Sequence, residues 1–343
     1  MKHWVKYCFI STILISSCTS DTVIEKHYPG WQTFDFSNSS IPSVSIRNIC
    51  IDSLQNIWIG GPDIQGIIKF DHSEFVSILS FTDSLGTHTL DGSKMHCIGN
   101  TLWMPYDIYP YENCLLRFVD GICTVYDSSR IGMQLTSVRL ISGVQNNSLW
   151  IGTADGLVHF DGTNCVLFNH ANSNLPANEI VALETDISNI VWGCVNQQFS
   201  IPNDSSGLFR FDGVNWSHYN TLNSGLPTNG ISIIESDLSG KIWVSNGLDL
   251  TSFDMLTWRS FLLHDNSNPS ELVYINCICG EKDSLVWVGT DHGLFRYNGI
   301  QWKQFTKSNS GLPSDTVYSI AIDSSYKKWL ATAKGLVVYN NNF

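Results

Sequence analysis

Seven tryptophans, Trp58, Trp103, Trp150, Trp192, Trp243, Trp287 and Trp329, recur along the 343-residue chain at intervals of 45, 47, 42, 51, 44 and 42. A period in the forties is the mark of a propeller or a linear array, because each unit is too small to bury its apolar face alone. The text around the tryptophans repeats as well: Ile57-Trp58-Ile59-Gly60, Leu149-Trp150-Ile151-Gly152-Thr153, Ile242-Trp243-Val244-Ser245 and Val286-Trp287-Val288-Gly289-Thr290. These are short strands of β-branched and aromatic residues. Six residues before the Trp stand Asp52, Asp186, Asp237 and Asp323, each opening a turn such as Asp237-Leu238-Ser239-Gly240. Asp supplies a side-chain bond to the turn and Gly supplies positive φ, which a tight hairpin needs.

Ten residues after the Trp, in the uninterrupted repeats, comes Phe160, Phe253, Tyr297 or Tyr339, ending a third strand. A turn follows (Phe211-Asp212-Gly213, Tyr297-Asn298-Gly299), and a fourth strand carries Trp216, Trp258 or Trp302. That strand leads into Asn-Ser-x-Leu/Ile-Pro, whose prolines Pro42, Pro176, Pro227 and Pro313 each lie 16 residues before a repeat Trp. Four strands, A to D, therefore make one unit. The reading is an all-β, seven-bladed propeller of four-stranded antiparallel blades. The last repeat stops after strand C at Tyr339, whereas a stray strand D, Trp31-Gln32-Thr33-Phe34, precedes the first. The N-terminal strand is expected to complete the seventh blade and close the ring, leaving no unpaired edge at the seam.

The shared text, Asp-x-x-Gly-x-Ile/Leu-Trp-Ile/Val-Gly-Thr-x-x-Gly-Leu-x-x-Phe/Tyr-Asp/Asn-Gly, resembles the two-component regulator propeller repeat, from Trp31 to the C-terminus. It is weakest in repeat 2, where Met104-Pro105 follows Trp103. In that family the repeats form the exported sensor region of hybrid two-component systems, commonly linked to glycan sensing in Bacteroidetes. The resemblance implies the fold and at most a binding role, because the sequence contains no kinase, three-Tyr or DNA-binding segment.

Composition limits the partners. The chain has 31 acidic and 19 basic residues, a formal net charge of -12 and no basic stripe, so nucleic acid is not an expected partner. Twelve Trp, twelve Tyr and seventeen Phe give it ample apolar area for an ordered core. Met1-Lys2-His3-Trp4-Val5-Lys6 followed by the apolar run from Tyr7 to Ile15 reads as an export signal, too short to span a bilayer. Ile15-Ser16-Ser17-Cys18 resembles a lipobox, which implies lipidation of Cys18. The expected layout is a lipoprotein signal at 1–17, a tether at 18–30 and the propeller at 31–343, held at the outer membrane of the cell envelope by the lipid on Cys18. Eight further cysteines include no zinc-like CxxC pair. Cys277 and Cys279 would share one strand face about 7 Å apart, too far to bridge. They read as small buried hydrophobes, with one or two disulfides open among the eight.

A ligand site is expected where one blade departs from its siblings. The distance from the Trp to the closing aromatic is 10 residues in repeats 3, 5, 6 and 7, but 12 in repeat 1, 15 in repeat 2 and 19 in repeat 4. The longer B–C loops all emerge on one face, which they share with the D–A connections. Repeat 2 offers Tyr106, Asp107, Tyr109 and Tyr111; repeat 4 offers Gln197, Gln198, Phe199 and Asp204. Aromatic faces beside amides and carboxylates suit a sugar ring, and they equally suit packing of the loops onto the ring. The expected partner is a glycan or a protein at the envelope. No catalytic residue, cofactor or metal set is assigned, because HExxH, GxSxG and Walker motifs are missing; His292, in a short B–C turn, reads as solvated. Two alternatives stand beside binding. One is a propeller lyase or hydrolase drawing on Asp107, Glu112, Asp204 and His292. The other is a structural subunit of an envelope assembly or secretion complex.

Overall fold

A computed structural model describes residues 28–340 except 43–44, 84–85, 93, 109–110, 146–147, 197–204, 267, 269 and 282–284. Seven four-stranded antiparallel sheets follow one another round a central channel. Blade 1 is β2 (Asn48–Ile51), β3 (Ile57–Gly60), β4 (Ile67–Phe70) and β5 (Phe75–Ile78); a hairpin of β6 (Ser80–Asp83) and β7 (Gly86–Thr89) follows. Blade 2 is β8 (His96–Ile98), β9 (Thr101–Ile108), β10 (Tyr111–Val119) and β11 (Ile122–Tyr126), followed by the helical turn α1 (Ser128–Ile131). Blade 3 is β12 (Leu140–Gln145), β13 (Ser148–Gly152), β14 (Leu157–Phe160) and β15 (Cys165–Phe168). Blade 4 is β16 (Glu179–Thr185), β17 (Val191–Asn196), β18 (Gly207–Phe211) and β19 (Trp216–Tyr219). Blade 5 is β20 (Ile233–Ser236), β21 (Ile242–Ser245), β22 (Leu250–Phe253) and β23 (Trp258–Phe261). Blade 6 is β24 (Ile275–Gly280), β25 (Val286–Thr290), β26 (Gly293–Tyr297) and β27 (Trp302–Phe305). Blade 7 is β28 (Val317–Ile322), β29 (Lys328–Thr332), β30 (Gly335–Tyr339) and, outermost, β1 (Trp31–Phe34).

The ring closes as the sequence predicts. β1 pairs antiparallel with β30, Trp31 opposite Tyr339 and Phe34 opposite Leu336. Trp31 stacks on Tyr339 with centroids 4.2 Å apart. A side chain at Gly311 would place its Cβ 2.3 Å from the Cβ of Trp31, and one at Gly225 would place it 2.5 Å from that of Trp258. Trp31 thus occupies in blade 7 the place that Trp258 occupies in blade 5, and glycine is needed in the preceding linker to let the ring lie against it.

Each repeated residue has a physical task. The Asp before the Trp accepts turn amides on Oδ1 and the indole N–H on Oδ2: Trp58, Trp192, Trp243 and Trp329 donate to Asp52, Asp186, Asp237 and Asp323 at 2.9, 3.3, 3.2 and 3.0 Å. Blade 6 has Glu281 there, which takes the Trp287 indole at 2.7 Å and the ammonium of buried Lys328 at 3.0 Å. The indoles then meet the closing aromatic of the next blade. Trp192 meets Phe253, Trp243 meets Tyr297, Trp287 meets Tyr339 and Trp329 meets Phe70, at 6.4, 6.0, 5.9 and 5.8 Å. In the Asn-Ser-x-Leu/Ile-Pro linkers the Ser hydroxyl donates to the backbone carbonyl four residues back, and the aliphatic residue (Ile41, Leu175, Leu226, Leu312) is buried.

One disulfide is present among the described residues, Cys50–Cys97, joining the inner strands of blades 1 and 2 with Cα atoms 5.6 Å apart. Cys165, Cys194, Cys277 and Cys279 are free thiols. The connection in blade 2 differs from expectation. Its five extra residues lengthen β9 and β10 into a ribbon with Ile108 opposite Tyr111, so they continue the ladder rather than form a loop. Tyr106, Ile108 and Tyr111, residues of high β propensity, favour that continuation.

Deleting Trp31–Phe34 exposes the edge of β30 and the rings packed on β1, and we expect the melting temperature to fall by many degrees; an unchanged value contradicts closure by β1. Replacing Asp237 by Ala strands a buried indole N–H as well as the turn amides. We expect a loss of about 2–3 kcal/mol in denaturant titration, and a smaller loss for Asp237→Asn, which keeps one acceptor oxygen.

Candidate functional site

Strands A line the channel, and the residue of each that pairs with the blade's Trp forms one ring: Cys50, His96, Ser142, Glu184, Glu235, Cys279 and Ala321. Successive inner strands touch all the way round, β28 to β2 included. Most of the ring borders a cavity of about 500 Å³. Its two acids sit on adjacent blades. Ser236 Oγ donates to Glu184 Oε1 at 3.0 Å, and the amide of Gly280 donates to Glu235 Oε1 at 3.4 Å. Removal from bulk water pushes the Glu184 carboxyl up to about 7, and burial together with the neighbouring Glu184 charge drives Glu235 well above the carboxylate range. Burial holds His96 neutral by pushing it down to about 4, and raises the Cys277 thiol to about 12. The channel therefore holds proton donors near neutral pH and no ready thiolate.

On the face of the B–C and D–A connections, the hairpin β6–β7 and the ribbon β9–β10 pack together. The Tyr106 hydroxyl donates to the Thr89 carbonyl, and its ring meets Phe81 edge-on at 5.8 Å. Between them opens a cleft of about 350 Å³ bordered by Thr89, Asp91, Lys94, Pro105, Tyr106 and Asn113. Burial raises the Tyr106 hydroxyl, so it stays protonated. Of the other sequence-derived candidates, Asp107 and Tyr111 fall in the backbone of β9 and β10, with side chains outside the described part. Tyr109, Gln197, Gln198, Phe199, Asp204 and Cys18 lie outside the described residues altogether.

The same face carries a cluster that the motif search did not reveal. His292, in the β25–β26 turn, is not simply solvated as expected: its Nδ1 lies 2.7 Å from Asp291 Oδ1 and its Nε2 3.3 Å from Glu271 Oε1. Burial works to lower its pKa, but the hydrogen bonds to Asp291 and Glu271 outweigh burial and raise it. Asp265 and Glu271 come from the connection between β23 and β24, and the ligand atoms of Asp265, Glu271 and His292 lie within 4.8 Å of one another. Buried Gln304 fixes the group, its Nε2 donating to Asp265 Oδ1 at 3.2 Å and to the His292 carbonyl at 2.8 Å. A sequence signal did exist. The linker between β23 and β24 lacks Asn-Ser-x-Leu/Ile-Pro, as do those carrying the β6–β7 hairpin and α1.

A carboxyl whose folded pKa exceeds its unfolded value of about 4.3 stabilises the fold at low pH and loses that contribution as pH rises through the folded value. Glu184→Gln should therefore melt higher than the parent at pH 8.5, with little difference at pH 5. His96 acts in the opposite sense, its contribution lost as pH falls from about 6.5 toward 4, but it is common to both chains and cancels. An equal difference at both pH values contradicts the raised carboxyl.

No protein-family model and no curated protein matches the chain. Solved structures do. The extracellular domain of a B. thetaiotaomicron protein named as a hybrid two component system, BT3049, superposes with TM-score 0.67 at 19% identity, covering 92% of this chain and 41% of that one. The corresponding domain of BT4673 from B. thetaiotaomicron, named as a one component system, gives 0.63 at 16%, covering 92% and 40%. Virginiamycin B lyase from Staphylococcus aureus gives 0.60 at 12%, covering 90% and 98%. The chain spans about two fifths of the length of those extracellular domains. At such identities the likeness is one of fold: the chain is a seven-bladed β-propeller, an architecture shared by extracellular domains of one- and two-component systems and by a lyase.

Proposed function

We propose that this propeller is an exported binding module, held at the outer membrane through lipid on Cys18, that recognises a glycan or a protein partner on the face of its B–C and D–A connections. The observation that carries the reading is the concentration of non-repeating structure on that face. The β6–β7 hairpin, the β9–β10 ribbon and the Asp265–Glu271–His292 group all stand there, above blades otherwise built alike. The cleft beside Tyr106 offers an aromatic edge with Asp91, Lys94 and Asn113 around it, a lining suited to polyhydroxylated ligands. Fold likeness to extracellular domains of one- and two-component systems supports the reading. Among the described residues no helix is long and apolar enough to cross a membrane.

A second reading, a propeller lyase or hydrolase, has one observation in its favour: an imidazole set among carboxylates on the same face, in a fold that a lyase also uses. Turnover of a candidate glycan separates it from binding alone.

The test is a thermal-shift screen of the purified chain against polysaccharide fragments, with a Tyr109→Ala/Phe199→Ala variant beside it. A ligand at a hundred times its Kd stabilises by about 2.7 kcal/mol, enough for a rise of a few degrees. We expect a rise that the variant loses. No rise with any fragment refutes glycan binding and leaves the protein partner.

A further inference from the structure

We infer that Asp265, Glu271 and His292 form a site for a divalent transition-metal ion of the manganese-to-zinc series, on the face formed by the β23–β24 connection and the β25–β26 turn. The three donors come from two separate segments yet converge, with all ligand atoms within 4.8 Å of one another. Donors held about 2.0–2.2 Å from a tetrahedral ion stand about 3.3 Å apart. The separation of His292 Nε2 from Glu271 Oε1 is 3.3 Å.

The surroundings orient the donors as a metal would require. Asp291 Oδ1, 2.7 Å from His292 Nδ1, accepts a hydrogen bond from Nδ1–H and leaves the Nε2 lone pair on the side of Glu271. A carboxylate behind a ligating imidazole fixes its tautomer and raises its basicity. Asp291 is itself held by the amide of Tyr274 at 2.8 Å. Buried Asp265 is fixed by Gln304, whose Oε1 accepts from the Asn266 amide at 3.0 Å. All three donors are thus held by neighbouring groups, Asn268 Nδ2 donating to Glu271 Oε2 at 3.0 Å, and Glu271, half exposed, is the least enclosed of them.

Charge and donor type select the ion. Three carboxylates, Asp265, Glu271 and Asp291, surround one imidazole, so even a protonated His292 leaves the group strongly negative, whereas a dication on Nε2 of the neutral ring neutralises more of that charge. One imidazole nitrogen with two carboxylate oxygens suits zinc, manganese or ferrous iron, and open positions toward solvent remain for water or a bound ligand. The inference stands whichever ligand the face binds, because its test reads ion binding alone.

The test is isothermal titration of the purified full chain with Zn²⁺ and with Mn²⁺ at pH 7.5, Ca²⁺ serving as the oxygen-preferring control. We expect one equivalent of Zn²⁺ or Mn²⁺ per chain. Glu271→Gln and His292→Ala should each weaken binding at least about tenfold, and Asp291→Asn should weaken it about 10–100-fold through the imidazole alone. Exposed Glu271 is the substitution least able to disturb folding, so Glu271→Gln with an unchanged melting curve decides the matter if His292→Ala does not fold. No stoichiometric binding of either ion overturns the inference and leaves an imidazolium paired with carboxylates. Binding that Glu271→Gln and His292→Ala leave intact, or a site that takes only Ca²⁺, overturns it equally.

Discussion

The indole N–H of the repeat Trp, donated in five of the seven blades to the carboxylate six residues earlier, is the contact on which those blades depend. One Asp oxygen gathers the amides of the A–B turn and the other accepts the indole, so one buried carboxylate fixes both the turn and the ring that packs against the next blade. A buried N–H without an acceptor costs about 1–3 kcal/mol, which makes the pair a unit rather than two independent choices. Departures show the rule at work. With a longer side chain at Glu281, blade 6 draws in Lys328 from blade 7, and the ammonium also donates to the Tyr326 carbonyl and lies over the Trp287 ring. Blade 2 has Cys97 at the Asp position and the Trp103 indole nitrogen is buried without an acceptor among the described residues, while Cys97 is committed instead to the bridge with Cys50.

This dependence explains why the architecture was legible from residues alone. Period, turn chemistry and the displaced strand D at Trp31 all follow from contacts inside one blade or between two neighbours, and such contacts recur in the text as they recur in space. The ribbon of blade 2 was miscounted as a loop because residue spacing measures how much chain is inserted, not whether it continues a ladder. The hairpin at Ser80–Asp83 and Gly86–Thr89 lies in a linker, where the repeat has no counterpart strand against which its residues can be aligned. The His292 group was hidden for a stronger reason. Its donors come from different segments, with no spacing that a motif could record. The channel ring lies between these cases: each member stands seven or eight residues before a repeat Trp, but its varied chemistry makes it look like noise until the ring is seen end on.

Repetition and departure divide the molecule between them. Indoles, linker prolines and buried aliphatics hold the seven sheets in register, and they are alike because each solves the same packing problem. Three linkers abandon the Asn-Ser-x-Leu/Ile-Pro turn, and they carry a hairpin, a helical turn and two carboxylates of the imidazole group. The inner strands, freed from blade-to-blade packing on their channel side, have drifted to Cys, His, Ser, Glu and Ala at one equivalent position. Chemistry has gathered where the packing problem leaves residues unconstrained.

Closure by β1 also sets an order of events for the folding chain. Blades 1 to 6 are each made of consecutive strands, so their contacts are local and can form as the polypeptide emerges. Blade 7 cannot be finished in that way, because Trp31 must wait for Tyr339. Until then the chain is an open arc whose first and last blades each show a face meant for the other, with Phe34, Phe70 and Trp329 lacking their mutual contacts. The interval before the seam meets is when this protein is most exposed to aggregation and to pairing with a second copy.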